Sequence, residues 1–523
     1  MSFPLLTATA ALPALGAIAT AAVPAARRVA AKWLALLVSL ATLVLAIVVL
    51  VRFDPDGGRY QLTESHAWIA DFGVRYELGV DGIGVALVAL TALLIPFIIL
   101  AGWHDADPHE TGNTRWRPTQ GFFALILAVE AMVIISFEAT DVFLFYIFFE
   151  AMLIPMYFLI GGFGDRAHEH GDEVAATQRS YAAVKFLLYN LVGGLIMLAA
   201  VIGLYVVAGN FSLQEIAEAR ANGSFEMATN TERWLFLGFF FAFAVKAPLW
   251  PLHTWLPNAM GEATAPVAVL ITAVVDKVGT FAMLRYCLQL FPEASKWATP
   301  VILVLALISI IYGALLAVGQ RDIKRLVAYA SISHFGFIIL GIFAMTSQGQ
   351  SGATLYMVNH GISTAALMLV AGFLISRRGS RLIADYGGVQ KVAPVLAGTF
   401  LIGGLATLSL PGLAPFVSEF LVLVGVFARY PAVGIIATFG IVLAALYTLV
   451  LYQRTMTGPV KPQVAALPDL RVRELLVVTP LIALLIFLGV YPRPLTDIVN
   501  PAVKQTMSDV HKTDPQPEVE AAK

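Results

Sequence analysis

Six side chains that can gain or lose a proton lie inside long apolar stretches of the sequence. They are Glu150 in FYIFFEAMLIPMY, Lys246 in FAVKAPLWP, Lys277 in VVDKVGTF, His334 in ASISHFGF, His360 in VNHGISTAA and Glu419 in APFVSEF. A charge at the centre of a bilayer costs about 2.5–3.5 kcal/mol on insertion scales, so each of these residues needs a purpose. Carboxyl, amino and imidazole groups relay protons in membrane proteins, and histidine titrates nearest to neutral pH. The set therefore predicts a proton pathway.

A structural explanation exists for each residue alone. A single Lys or Glu in a membrane can be half of a packed pair, and a lone His is more often a hydrogen-bonded core residue than a relay. Six such groups on six helices exceed what structural pairing needs, so we favour the pathway. Glu130 and Lys185 are weaker candidates for it. Three arginines are expected to be interfacial anchors that could tune the route: Arg285, Arg325 and Arg381.

Glu150 and Lys246 are the pair that we expect to act as a switch. Burial favours the neutral amine of a lysine, whereas a carboxylate about 4 Å away favours the ammonium by roughly 4 kcal/mol at an effective dielectric constant of 20. Moving the carboxylate away would then discharge the proton of Lys246. In this hypothesis Lys277 and the two histidines relay the proton, and Glu419 is the outlet. Asp276 is next to Lys277 in the sequence but points about 100 degrees away from it on a helix. A pair between Asp276 and some other neighbour is therefore the alternative to a pair with Lys277.

The composition requires a lipid environment for most of the chain. Of the 523 residues, 59% are apolar and 13% are charged, and the mean hydropathy is +0.81. Backbone groups in hydrocarbon have no water to bond, so long apolar stretches must be helices, which predicts an all-α polytopic membrane protein. A net charge of −1 argues against nucleic acid as a partner. One cysteine, Cys287, allows neither an internal disulfide nor a thiolate-held iron–sulfur cluster.

Other motifs predict no cofactor or metal in this chain. GFGDRA, which begins at Gly162, has the letters of a dinucleotide fingerprint but follows a membrane helix rather than a strand, so we reject it. His168 and His170 lie among acidic residues, and a solvated loop explains them better than a metal site does. Redox chemistry, if the protein serves any, must be carried by another chain.

Hydropathy predicts about 14 transmembrane spans. Their approximate bounds are 5–25, 33–51, 78–103, 120–137, 142–163, 183–208, 234–256, 263–290, 298–318, 325–345, 353–375, 395–428, 431–453 and 474–492. The predicted units are N-terminal helices in 1–119, a first repeat in 120–290, a second in 298–453, and a last helix with a polar tail in 454–523. We expect the tail from about Thr506 to be poorly ordered without a partner.

Two of these spans contain prolines in their middle. Pro248 and Pro251 interrupt the seventh span, and Pro411 and Pro415 interrupt the twelfth. Interrupted helices at matching places in two halves are typical of inverted-repeat transporters, with the functional site where the repeats meet. Proline also kinks ordinary packed helices, so one break alone would be weak evidence. The breaks lie beside Lys246 and Glu419, which favours two inverted repeats of about five helices.

The distribution of basic residues predicts the orientation. Loops on one face hold most of them, including Arg27, Arg28, Lys32, Arg115, Arg117, Arg166, Arg377 and Arg378. By the positive-inside rule this face is cytoplasmic, which places both termini outside. The apolar stretch that starts at Leu5 has no basic residue before it, so we expect a retained helix rather than a signal peptide.

From Phe122 to Val450 the sequence resembles the antiporter-like subunits of respiratory complex I, relatives of the multisubunit Na⁺/H⁺ antiporters. The resemblance is carried by FYIFFEAMLIPMYFLIG, KAPLWPLHTWLPNAMGEA, RDIKRLVAYASISHFGF, NHGISTAALMLVAG and LPGLAPFVSEFLVL. Glu419, where other branches carry Lys, favours the M-type branch. Two residues depart from the family pattern: Asn258, where Asp is common, and Asp276, where an apolar residue is usual.

The resemblance implies a proton-translocating membrane-arm subunit of an NADH:quinone oxidoreductase in a bacterial plasma membrane. It implies Glu150 and Lys246 as the coupling pair, Lys277 as central relay, and an exit residue in the last broken helix. L- and N-type antiporter-like chains are the implied partners, and flavin mononucleotide, iron–sulfur clusters and quinone are expected in partner subunits. The alternatives are a subunit of a multisubunit Na⁺/H⁺ antiporter, and a structural membrane anchor that conducts nothing.

Overall fold

The fold is a bundle of helices with one small β-hairpin on it. The computed structural model describes residues 3–107, 118–164 and 172–516. The α-helices, α1 to α20 in chain order, are Leu5–Ala21, Arg28–Arg52, Gly82–Ala101, Thr119–Glu138, Val142–Ala151, Leu153–Phe163, Asp172–Ala208, Leu213–Ala221, Thr229–Lys246, Leu256–Glu262, Ala265–Val269, Asp276–Ala282, Pro292–Val318, Ile323–Phe343, Ser347–Arg378, Pro394–Thr407, Ala414–Arg429, Pro431–Met456, Val472–Val490 and Arg493–Asp509. π-helical turns, Leu270–Val275 and Met283–Leu288, flank α12, and β1 (Gln61–Ile69) pairs antiparallel with β2 (Val74–Val80). Short 3₁₀ turns lie at Ala25–Arg27, Ala70–Phe72, Ile383–Asp385, Val389–Lys391 and Pro462–Val464.

The bundle has a protein-buried centre and an apolar rim. In the described part of the chain, 11 helical stretches are long and apolar enough to cross a membrane, and the shorter helices α1 and α16 are also apolar. The stretch Ala265–Leu288 and helices α14 and α15 are almost wholly buried, whereas about two thirds of the apolar window of α2, α7 or α18 is not. An apolar surface suits helices that face lipid. The chain is therefore a multi-pass membrane protein whose central helices contact other helices.

Both proline-rich spans are broken where the sequence predicts. The seventh predicted span ends as α9 at Lys246 and resumes as α10 at Leu256, and the twelfth is split into α16 and α17. At membrane depth there is no water, so backbone N–H and C=O groups that a helix break leaves unpaired must find hydrogen-bond partners within the protein. The indole Nε1 of Trp255 donates to the carbonyl O of Val245 (2.9 Å), and Ser309 Oγ accepts from the backbone N–H of Trp250 (2.8 Å). These bonds stabilise an irregular segment inside the bundle.

Three elements differ from the sequence expectations. The third span begins at Gly82 rather than near residue 78, because Val74–Val80 forms a strand, so the all-α expectation misses a hairpin. Burial alternates only partly along VRYELGV, and its last three residues are all buried, which is why a hydropathy window adds residues 78–80 to the next helix. Polar residues after the last predicted span form α20, whose Val499, Val503 and Met507 are buried, so Thr506 lies in a helix and not in an irregular tail.

The side chain of Asp141 links the hairpin to the N-terminus of α5 through hydrogen bonds. Its carboxylate accepts from the backbone N–H groups of Phe143 (2.9 Å), Leu144 (2.8 Å) and Arg75 (3.0 Å). Burial raises the pKa of Asp141 to about 6 despite these bonds, which lower it. At neutral pH the carboxylate is therefore ionised and caps α5, as Asp does at many helix N-termini.

A buried ion pair joins the N-terminus of α3 to the π-helical turn that follows α12. Arg285 Nη2 donates to Asp81 Oδ1 (2.8 Å), and its Nη1 donates to the carbonyl O of Phe137 (2.8 Å). The side chain of Arg285 is only 1% exposed, so Arg285 holds the core together instead of anchoring the chain at an interface.

We expect Arg285→Met to lower the free energy of unfolding by about 3–5 kcal/mol, because it leaves the carboxylate of Asp81 buried without its partner. Thermal unfolding of the detergent-purified assembly measures the loss. The double variant Arg285→Met, Asp81→Leu should lose less than the single variant, since no charge is then stranded. Equal melting temperatures for wild type and Arg285→Met would contradict this account.

Candidate proton pathway

Lys246 lies at the last residue of α9, where the helix breaks. Its Nζ donates to the backbone carbonyl O of Phe149 (2.7 Å) and lies 3.8 Å from the centre of the Phe149 ring. Glu150 is the next residue, and its carboxylate interacts electrostatically with Lys246. Within the described part of the chain, Oε1 of Glu150 has no hydrogen-bond partner. The predicted acid and amine therefore interact at a distance: within the described residues they form no ion pair, and the amine is bonded to the backbone carbonyl of the residue before the acid.

Gly194 of α7 makes room for the Glu150 carboxylate. A Cβ atom at Gly194 would overlap the carboxylate oxygens and Cδ of Glu150. Only glycine leaves this space open. The position of Glu150 relative to Lys246 thus depends on one missing methyl group of the facing helix.

Lys277 lies on α12 at the centre of the bundle and bonds directly to the second histidine. Its Nζ is 2.7 Å from Nδ1 of His360 and 4.2 Å from the centre of the Phe335 ring. Thr364 Oγ1 is 3.1 Å from Nε2 of the same imidazole. An ammonium can only donate, so Nδ1 is the acceptor and Nε2 carries the hydrogen in this arrangement. Lys277 can therefore pass a proton to His360 without moving.

The two histidines are in contact, edge to face. The ring centres of His334 and His360 are 5.1 Å apart, and both residues are buried. Tyr447 OH is 3.3 Å from Nε2 of His334, and the ring of Tyr356 lies 5.8 Å from the ring of His334. Polar groups thus continue from α12 through α14 and α15 towards the second helix break.

Glu419 lies on α17, just after this break. Tyr356 OH donates to its Oε2 (3.0 Å), and Ser409 Oγ donates to the same oxygen. Ser409 has a φ of 59°, a left-handed conformation that is uncommon for serine and belongs to the irregular turn after α16. Asn359 holds the other side of the break through its Nδ2, which donates to the carbonyl O of Ala414 (3.0 Å) and to Ser418 Oγ (2.7 Å).

The structure brings five of the six predicted residues into two groups. The sixth, Glu419, is linked to the second group by one intervening side chain. Glu150 and Lys246 form one group, and Lys277, His360 and His334 form the other, with Glu419 reached through Tyr356. Glu130 is buried in α4, and within the described residues neither carboxylate oxygen has a hydrogen-bond partner. Lys185 donates to Asn258 Oδ1 (3.0 Å) near Tyr181 and Tyr189, and none of the six predicted residues is among these contacts.

The two remaining arginine candidates make ion pairs or packing contacts with neighbouring helices and loops. Arg381 pairs with Glu262 (3.0 Å) and Asp322 (2.8 Å). The aliphatic part of Arg325 lies against Gly261, 3.2 Å from where its Cβ would be. His168 and His170 lie outside the described residues, and within the described ranges no three potential metal ligands cluster.

Sequence reasoning missed Tyr356, Ser409 and Asn359. Tyr356 precedes His360 by four residues, so both lie on one face of α15, and this spacing is the signal that could have revealed it. Ser409 carries no comparable signal, because its role follows from the shape of the break.

Comparison with known proteins assigns this chain to a family. Residues 139–444 match the family described as NADH:quinone oxidoreductase/Mrp antiporter, TM. The chain is 56% identical to NADH-quinone oxidoreductase subunit M of Mycobacterium tuberculosis, over 97% of this chain and 95% of that protein. It is 37% identical to subunit M of Rhodobacter capsulatus, over 96% and 95% of the two chains.

A solved structure of respiratory complex I from Thermus thermophilus with bound NADH contains a chain of the same fold. The TM-score is 0.82 at 30% identity, over 97% of this chain and 99% of that chain. The Mrp complex from Dietzia sp. contains a chain with a TM-score of 0.82 at 21% identity, over 98% and 100%, which shows a shared fold. On the strength of the match over 139–444 and the near full-length identity, the chain belongs to the NADH:quinone oxidoreductase/Mrp antiporter transmembrane family.

Proposed function

We propose that this chain is a proton-translocating membrane-arm subunit of an NADH:quinone oxidoreductase. The observation that carries the proposal is the buried series Lys277, His360, His334, Tyr356 and Glu419, whose members are hydrogen-bonded or in ring contact. A purely structural anchor has no need of such a series, because unpaired or titrating groups in a dry core cost stability. The relatives named as subunit M support the choice of assembly.

In this proposal the chain moves protons and its partners move electrons. Flavin mononucleotide, iron–sulfur clusters and quinone belong to other subunits, and the L- and N-type antiporter-like chains are neighbours in the membrane arm. The free energy of electron transfer reaches this chain as a displacement of charge near Glu150. Moving that carboxylate away from Lys246 removes the interaction that favours the ammonium, so the proton leaves Lys246.

The onward path follows from the contacts. A proton that reaches Lys277 can pass along the 2.7 Å contact to Nδ1 of His360. The imidazole of His334 lies next, with the ring centres 5.1 Å apart, and transfer to it takes a water between the two rings or a rotation of one of them. Tyr356 then connects the histidines to Glu419 at the second break. The proposed location is a bacterial plasma membrane, with both termini outside the cytoplasm as the basic loops favour.

A second candidate is a subunit of a multisubunit Na⁺/H⁺ antiporter. It is favoured by the fold shared with the Mrp complex chain, but that likeness is at 21% identity, against 56% for subunit M of M. tuberculosis. Both functions can use one proton pathway, so the ion dependence separates them.

The test uses the complete assembly, purified and reconstituted in sealed vesicles. We expect NADH oxidation with added quinone to drive proton translocation at the same rate with sodium salts and with potassium salts only, since the pathway consists of proton carriers. Luminal pH is followed with a trapped dye, and an uncoupler provides the control. Translocation that stops without Na⁺, or that proceeds from a Na⁺ gradient with no NADH, would favour the antiporter instead.

A further inference from the structure

Asp276 is a buried acid that the pathway described above does not use. It is fully buried on α12, and within the described residues neither carboxylate oxygen has a hydrogen-bond partner. Burying an unpaired carboxyl group away from water costs several kcal/mol when it is charged. Such a cost in the centre of a membrane protein marks a group that exchanges protons or balances a moving charge.

The packing of α12 shows what Asp276 faces. Gly279 follows it by three residues and so lies on the same side of the helix. A Cβ atom at Gly279 would lie 2.8 Å from the backbone N of Ala247 and 2.9 Å from the carbonyl O of Phe243. This side of α12 therefore touches the end of α9, which is where Lys246 lies.

The next residue faces a different helix. Lys277 is about 100 degrees further round α12. Thr280, three residues after Lys277, donates to Sδ of Met357 on α15 (2.9 Å), and Lys277 itself bonds to His360 on the same helix. Two consecutive residues thus point towards the two separate groups of the pathway.

Charge interactions agree with this packing. Asp276 interacts electrostatically with both Lys246 and Lys277. For Lys277, the acidic partner in this interaction is the carboxyl group of Asp276. A π-helical turn, Leu270–Val275, ends directly before it. Such turns shift the register of the following side chains and occur often at functional sites.

We propose that Asp276 carries the proton from Lys246 to Lys277. The ammonium of Lys246 gives its proton to the Asp276 carboxylate, leaving a neutral amine and a carboxylic acid. The acid then gives the same proton to the neutral amine of Lys277, which becomes an ammonium, and the carboxylate is restored. This step connects Glu150 and Lys246 with the series that ends at Glu419, and it rests on the proposed function.

The test compares Asp276→Asn and Asp276→Glu in the complete assembly in sealed vesicles. Asn has nearly the same shape but cannot hold a proton, so proton translocation should slow about tenfold, equivalent to about 1.4 kcal/mol in the barrier. Glu keeps the acid and should restore most of the rate. Infrared difference spectra during turnover should show a carboxylic acid C=O band that disappears in Asp276→Asn and shifts in Asp276→Glu. Lys296→Met, at an exposed ion pair, is the control.

Wild-type translocation by Asp276→Asn would overturn the proposal, as would slow translocation by both variants in a normally assembled complex, since that pattern means a structural role. If Asp276→Asn fails to assemble, the infrared band decides: no shift in Asp276→Glu refutes proton transfer at this residue. Lys277→Met distinguishes a failure of the whole proposed pathway from a failure of the Asp276 step alone. Normal translocation by Lys277→Met refutes the proposed pathway, whereas its loss combined with a normal Asp276→Asn refutes only the role of Asp276.

Discussion

Replacing Lys277 with Met should slow proton passage through this chain by about 100-fold and lower the number of protons translocated per NADH oxidised. Lys277 is fully buried and its amine bonds to His360 at 2.7 Å, so in the proposed pathway it is the group that delivers protons to the histidines. Without a side chain that can hold the proton there, a positive charge at the bilayer centre costs about 2.5–3.5 kcal/mol on insertion scales, which give the lowest values. A barrier higher by about 2.7 kcal/mol slows a step about 100-fold.

The same experiment with Lys277→Arg separates proton exchange from positive charge. Arginine keeps the charge but does not deprotonate in proteins, so it cannot pass a proton on. We therefore expect Lys277→Arg to fail as Lys277→Met does, with NADH-to-quinone activity of the solubilised assembly as the measure of intact subunits. Restoration of pumping by arginine would mean that Lys277 serves only as a fixed charge, and the relay would be refuted.

The sequence predicts the parts of the pathway better than their connections. Scarcity of charge in apolar stretches identifies Lys246, Lys277 and Glu419, because each is expensive in lipid wherever it points. Proline predicts the two helix breaks, because a missing N–H breaks a helix in any surroundings. Both inferences need only local sequence and the properties of hydrocarbon.

Contacts between distant segments could not be predicted in this way. The bond of Lys277 to His360 joins residues 83 positions apart, and that of Tyr356 to Glu419 spans 63. The rotation of Asp276 away from Lys277 follows from helix geometry, yet only the packing at Gly279 shows that it turns towards α9. The hairpin was missed for a related reason, since the apolar end of its second strand, residues 78–80, merges with α3 in the hydropathy pattern.

Replacing Gly194 with Ala should uncouple the switch while leaving the fold intact. The new methyl group would take the place of the Glu150 carboxylate, which is the mobile end of a side chain and can move aside. The backbones of α5 and α7 need not separate. By contrast, a Cβ at Gly82 would overlap the backbone carbonyl of Ile498, where nothing mobile can yield. Gly194→Ala is therefore a steric displacement of one carboxylate.

The displaced carboxylate can no longer favour the ammonium of Lys246 by its normal amount. Losing about 1.4 kcal/mol of that interaction changes the protonation equilibrium tenfold, so we expect coupled proton translocation to fall by about tenfold. Gly398→Ala is the matched control, because a Cβ there meets nothing within 4 Å. Translocation by reconstituted vesicles and the yield of assembled complex measure the two effects separately.

A double-variant cycle decides whether Gly194→Ala acts through Glu150. If the methyl group matters only because it moves the carboxylate, then Glu150→Gln and Gly194→Ala together should be no slower than Glu150→Gln alone, since the cycle measures a shared cause. Additive losses would mean that Gly194 acts on helix packing. Normal pumping by Gly194→Ala in a fully assembled complex would show that the position of Glu150 does not control Lys246, and with it the switch would fall while the relay beyond Lys277 could stand.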